Sequence, residues 1–231
     1  MRRWQAFVAN VGRRRSGLGV VVAAALLVLC VRADGGLPGD PFSPEPVEVR
    51  IGPSVYAIPR NYLVHVSTDF DGETGSVVMR ALWPGLEPLR RDNALQWERR
   101  QPERQIHFGL MRRPRDGYRE LRGLAELRKI EPEQVEFGLT RYRSHLVEYY
   151  AGDEPEHRSP NGSPVAFKCF DYPKNTTTRF EVERNCIVEY PLNDRVGLHY
   201  RFFMINLEHW REIDQSMRTL IEGFLRPKEV E

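Results

Sequence analysis

The chain carries six histidines, at 65, 107, 145, 157, 199 and 209, and these are the residues to which proton transfer or metal chemistry would fall. None forms His-Glu-x-x-His, and no two stand four residues apart, so the helical pair that holds a catalytic zinc is missing. His65, His145 and His199 lie in strand-like runs, where a half-buried histidine bonded to a neighbour is the expectation. Gly-x-Ser-x-Gly, a phosphate loop and a dinucleotide fingerprint are all absent, and Gly52-Pro53-Ser54 is a turn without a nucleophile elbow. A Ser/His/Asp set is assembled in space and not along the chain. An envelope hydrolase would have to build one from such groups as His107, His145 or Asp69. Asp69-Phe70-Asp71-Gly72-Glu73 lacks the distal bidentate glutamate that a calcium loop needs at position 12, so a solvated turn is expected there. No cofactor and no metal site is expected.

Sulfur chemistry points to structure instead. Of three cysteines, Cys30 sits in an N-terminal apolar run, leaving Cys169 and Cys186 for the body of the chain. Each falls in a β-like stretch, with a turn signal at Tyr172-Pro173-Lys174-Asn175 and an extended-favouring run from Thr176 to Val182 between them. Neighbouring strands would bring the sulfurs together, and an oxidising compartment would pair them. A reactive thiol would want a nearby Cys-x-x-Cys or histidine base, and neither is local.

The third group with reach is arginine. Residues Arg90 to Lys129 hold twelve bases and six acids, whereas Glu131 to Ser159 hold seven acids and three bases. Such a bipolar surface can steer a charged protein partner. Within the basic stretch Arg112, Arg113 and Arg115 follow a strand candidate, and Pro114, Asp116 and Gly117 mark an exposed loop, which makes the triplet the expected partner-binding site. Nucleic acid is not the expected partner, because no aromatic residues interleave with these bases to stack on nucleotides. Trp83, Trp97, Tyr118, Tyr149 and Tyr150 are either interface anchors or core.

These groups must be positioned by elements of mostly period two. Val47, Val49 and Ile51 alternate with polar residues, Gly52-Pro53 turns the chain, and Val55 to Ile58 returns, an opening hairpin. Further strands are expected at 62–66, 76–82, 105–111, 135–142, 145–150, 165–170, 179–183, 187–190 and 197–205, with short helices within 86–100 and 117–130. Asn161-Gly162-Ser163 and Asn175-Thr176-Thr177 read as turn chemistry. Leu207, Trp210, Ile213, Met217, Leu220, Ile221 and Phe224 recur at three- and four-residue steps after Asn206, a candidate N-cap, and Pro227 stops the helix. The runs are too short for parallel crossovers. The expected fold is therefore α+β: an antiparallel sheet of short strands with a C-terminal amphipathic helix packed on it, spanning residues 47–231 as a single envelope domain.

The address lies ahead of that body. Residues 1–33 hold six arginines and no acid, so the remainder carries 28 bases against 32 acids. Leu18 to Val31 is an uncharged apolar run of 14 residues, short of the about 17–25 that a spanning helix needs. Either a cleaved signal peptide, with Val31 and Ala33 at the −3 and −1 positions of the cleavage site, or an uncleaved anchor holding the chain to the inner membrane through residues 18–31, fits this pattern. Leu29 before Cys30 argues against a lipoprotein site. Residues 34–46, with three glycines and four prolines, form a linker. Four lysines against thirty arginines point to a GC-rich, bacterial genome. A periplasmic location follows, and with it three functions: a non-enzymatic binding protein such as an immunity protein against a periplasm-acting toxin, a tethered accessory subunit of a secretion or envelope complex, or the hydrolase above.

Overall fold

The computed structural model describes residues 39–68, 74–98, 102–144, 147–152, 154–170 and 184–227. The apolar run at 18–31, the Asp69–Glu73 turn, His145, the 172–182 excursion with its Asn175 turn, and the strand expected at 179–183 lie outside the described residues. Strands β1 (Pro46–Ile51) and β2 (Ser54–Pro59) form the opening hairpin. The rest make one nine-stranded antiparallel sheet. In sheet order it runs β3 (Leu63–Thr68), β4 (Thr74–Leu82), β5 (Gln105–Met111), β11 (Gly197–Phe203), β10 (Asn185–Pro191), β9 (Ala166–Phe170), β8 (Val147–Gly152), β7 (Leu139–Arg143) and β6 (Glu133–Val135). Among the described residues three helices accompany it: α1 (Ala94–Glu98), α2 (Gly117–Arg128) and α3 (Trp210–Phe224).

Alternation along each strand separates two faces. On β5 the side chains of Ile106, Phe108 and Leu110 enter the main core, as do Leu198, Tyr200 and Phe202 on β11 and Val188 and Tyr190 on β10. Helix α3 lies on this face and buries Trp210, Ile213, Met217, Ile221 and Phe224 there. The hairpin shares the same core through Val49, Ile51, Tyr56 and Ile58, and is tied to the end of α3 by Arg226 N–H donating to Val55 O at 2.9 Å. On the opposite face α2 packs Leu121 against Ala151 and Ala166, with Tyr118, Tyr142 and Tyr149 around them. Asp116 starts α2 by accepting from Arg119 N–H at 3.0 Å, so the loop after β5 ends in a capped helix.

Three expectations are corrected. The strand expected at 135–142 is two, because Phe137 (φ 64°) and Gly138 (φ 67°) turn the chain through the left-handed region. The left-handed φ at 138 favours glycine, and a side chain there would also displace the tips of Glu154 and Arg211. The strand expected at 197–205 stops at Phe203, and a 3-10 segment covers Met204 to His209. Asn206 sits inside that segment and does not cap α3. Its side-chain amide instead donates to Glu103 O at 2.7 Å.

Cys169 and Cys186 are bonded to each other, and they are direct partners across β9 and β10. Both are buried in the core, so the bridge fastens β9 to β10 from inside. With the cysteines 17 positions apart in sequence, the chain-entropy model gives about 3 kcal/mol of stabilisation. Cys186→Ser is expected to cost about 2–5 kcal/mol, read from the urea midpoint of parent and variant. Equal midpoints would show that the bridge does not hold the folded state.

Candidate functional site

At one end of the sheet three chain reversals meet. The β1–β2 turn supplies Gly52 and Pro53, the loop after β5 supplies Arg112, Arg113 and Pro114, and the β10–β11 turn supplies Asp194 and Arg195. They line an open cleft of about 580 Å³. Each reversal is locally specified. Gly52 takes φ 56°, which a side chain resists. Asn193 closes its turn through one carboxamide oxygen, which accepts from Arg195 N–H at 2.9 Å and Val196 N–H at 3.0 Å. Gly197 lets the Pro114 backbone pass close, since a β-carbon there would lie 2.8 Å from Pro114 Cα.

The arginine triplet is divided by Pro114. Arg112 and Arg113 line the cleft, while Arg115 leaves it and approaches Glu189 on β10 at 3.9 Å. Sequence reasoning missed Arg195 and Asp194. The signal for them was the antiparallel pairing of β5 with β11, which places the end of β5 beside the start of β11. The lining thus holds three guanidiniums and one carboxylate, and Arg113, Asp194 and Arg195 are exposed. A shallow, charged cleft suits an acidic macromolecular surface better than a small molecule, which favours an enclosed apolar pocket.

The aromatic candidates lie elsewhere. Trp83, Trp97 and Tyr150 are buried, and Tyr118 on α2 and Tyr149 on β8 are half-buried beside Leu121, so these five serve packing. A second hollow, lined by Val135, Phe137, Arg141, Tyr150 and Leu207, sits at the β6–β7 end of the sheet. Glu154, Glu156 and His157 are close together, but Glu154 is engaged by Arg211, whose Nε donates to it at 2.6 Å. That pair anchors α3 to the loop after β8.

Among the described histidines, His65 is exposed on the edge strand β3, contrary to the half-buried expectation. His107 and His199 are half-buried on the sheet face opposite α3. Burial, then the neighbouring Arg201 and Arg80 guanidiniums, push His107 down to about 4 from its ordinary 6.5. Burial and Arg115 lower His199 as well. Both are therefore neutral at pH 7 and lack the basicity that a general base needs. The lowered folded values make their contribution complete above the unfolded value of about 6.5, and it is lost as pH falls through the folded value, about 4 for His107. For His107 that loss reaches roughly 2–3 kcal/mol by pH 4.5. His107→Gln is expected to flatten the fall in stability between neutral and acid pH, measured by urea unfolding across that range. An unaltered slope would rule out His107 as its source.

No family model matches the chain, and no curated protein matches it. Two solved structures share its fold. An immunity protein of the Stenotrophomonas maltophilia type IV secretion system superposes with a TM-score of 0.54 at 15% identity, over 80% of this chain and 95% of that one. The iron-regulated outer membrane lipoprotein FrpD of Neisseria meningitidis superposes with a TM-score of 0.53 at 13% identity, over 82% of this chain and 97% of that one. At such identities the likeness is one of fold.

Proposed function

We propose that this chain is a non-enzymatic binding protein of the bacterial envelope, and that it grips an acidic surface of a protein partner at the arginine cleft. Its sharpest form is an immunity protein that neutralises a toxin acting in the periplasm. The cleft carries the reading: two separate turns bring Arg112, Arg113 and Arg195 together, with Asp194 as the one lining carboxylate. Support also comes from the fold, which is shared by an immunity protein of a secretion system and by an outer membrane lipoprotein. Export rests on the arginine-rich residues 1–33 and their apolar run, and periplasmic residence fits a buried disulfide.

The test begins with the adjacent reading frame. Loss of this gene should be lethal only while a toxin-like neighbour is intact, and that neighbour's product should bind the chain. Arg113→Glu with Arg195→Glu, both at exposed positions, should leave melting nearly unchanged. The same pair should lower the association rate about tenfold or more at low salt, with the difference shrinking at high salt. Binding as fast as the parent at low salt would remove the cleft from recognition.

A further inference from the structure

We propose that the basic row crossing the open sheet face, Arg80, Arg201 and Lys168, is a second docking surface for an acidic protein segment of the same partner. This rests on the protein-binding reading above. Strand register places the row: Arg80 on β4 pairs with His107 on β5, His107 with Arg201 on β11, Arg201 with Ile187 on β10, and Ile187 with Lys168 on β9. All five point away from α3, and adjacent strands lie about 4.8 Å apart, so the three cations repeat at about 10 Å. They stand side by side around His107 and Ile187 instead of converging on one point. That spacing fits carboxylates spread over a protein surface better than a single phosphate.

The row is short of counter-charge. Among the described residues no carboxylate forms an ion pair with Arg80, Arg201 or Lys168. Arg80 lies over the Trp97 ring at 4.8 Å and Lys168 over the Phe170 ring at 5.4 Å. Glu189, one row along on β10, has Arg115 at 3.9 Å and also screens Lys168, so the shortage falls on Arg80 and Arg201. Arg80 is half-buried, and a desolvated guanidinium without a carboxylate is a cost that an acidic partner would recover. His107, held neutral between the two arginines, avoids a third charge in the middle of the row.

The face is also shaped for contact. Helix α2 covers the part over β8 and β9, and Trp97 flanks the other side. Between the row and the arginine cleft Gly109 has no side chain, and the His199 ring occupies that space. From His107 to Met111, where the cleft loop begins, the strand advances about 13 Å. One partner can therefore span both basic surfaces.

The probe is an oligoglutamate peptide, titrated into the full chain at low and high salt, with affinity from fluorescence anisotropy and the His107 ring followed by NMR. Arg201→Ser with Lys168→Ser changes exposed side chains only and should weaken the peptide about tenfold at low salt. In the parent, bound carboxylates should raise the His107 titration from about 4, and in the row variant that response should vanish. Arg113→Ser with Arg195→Ser should weaken the peptide while leaving the His107 response in place. If only the cleft variant loses affinity, or His107 does not respond, the second surface is overturned and the cleft reading stands. If only the row variant loses affinity, the row stands and the cleft reading fails. Polyphosphate or phosphatidylglycerol vesicles binding through the row at least as tightly as the peptide would overturn the protein occupant.

Discussion

Trp210→Ala is expected to lower the stability of this protein by about 3–5 kcal/mol, the largest effect of any single core truncation here. The indole is fully buried at the first turn of α3, where the helix meets β9 and the loop after β8. Its ring stands edge-on to Phe167 at 5.3 Å and to His157 at 5.6 Å, and the Arg211 guanidinium lies over it at 4.9 Å. Its Nε1 donates to Phe137 O at 3.0 Å, so the same side chain fixes the left-handed turn between β6 and β7. Gly152 is cut to fit, since a β-carbon there would lie 2.6 Å from the indole Cη2. Alanine would leave a cavity that this many fixed neighbours cannot close. Trp210→Phe keeps most of the ring and loses mainly the hydrogen bond, so it should cost about 1–2 kcal/mol. Urea unfolding of the three proteins measures both. A cost for alanine no greater than that for phenylalanine would mean that the site collapses freely.

Asp214→Ala is expected to cost about 3–5 kcal/mol, for an electrostatic reason. Asp214 is 2% exposed, yet its Oδ1 accepts from the Tyr190 and Tyr200 hydroxyls, each at 2.8 Å. Its Oδ2 accepts from Arg218, one turn along α3, and Arg218 also donates to Arg158 O. Alanine would leave a largely buried guanidinium without its anion and both tyrosine hydroxyls without their acceptor. Burial, with Asp214 nearby, raises both phenols well above the ordinary value of 10, so they stay protonated donors throughout the neutral range. Tyr190→Phe removes one hydroxyl and should cost about 1 kcal/mol. If Asp214→Ala cost no more than Tyr190→Phe, the carboxylate would be a spectator, and the helix would be held by its apolar stripe alone.

Period and composition were enough for the scaffold. Alternation marked the opening hairpin and the β5 strand, because each sends every second side chain into the core. The three- and four-residue recurrence from Trp210 to Phe224 marked α3 for the same reason. Two cysteines in separate β-like runs were enough to expect the bridge, since direct cross-strand partners are the simplest way to bring them together. Local backbone conformation was less legible. The left-handed turn at Phe137 is held by Arg211 and Trp210, far away along the chain, and the glycine at 138 is its local mark between 135 and 142. Asn206 has the chemistry of a cap, but its amide is taken by Glu103 O, and the chain forms a 3-10 segment there instead.

Charge divides the two kinds of information most clearly. The sequence alone determined that Arg112 and Arg113 stand on an exposed loop, since proline, aspartate and glycine beside them stop both strand and helix. It could also place Asp214 on the buried stripe, four residues after Trp210 and three before Met217. What it could not supply was the company these groups keep. Arg195 joins Arg112 and Arg113 only because β5 and β11 pair antiparallel, and Arg80, His107 and Arg201 form a row only because three strands distant in sequence share one register. Tyr190, Tyr200 and Arg218 satisfy Asp214 only once α3 lies across β10 and β11. Hydrophobic period is a property of neighbours along the chain, so it survives in the sequence. The charge a group carries and the partner it can hold depend on distances across the fold, and those exist only after the sheet has closed its register.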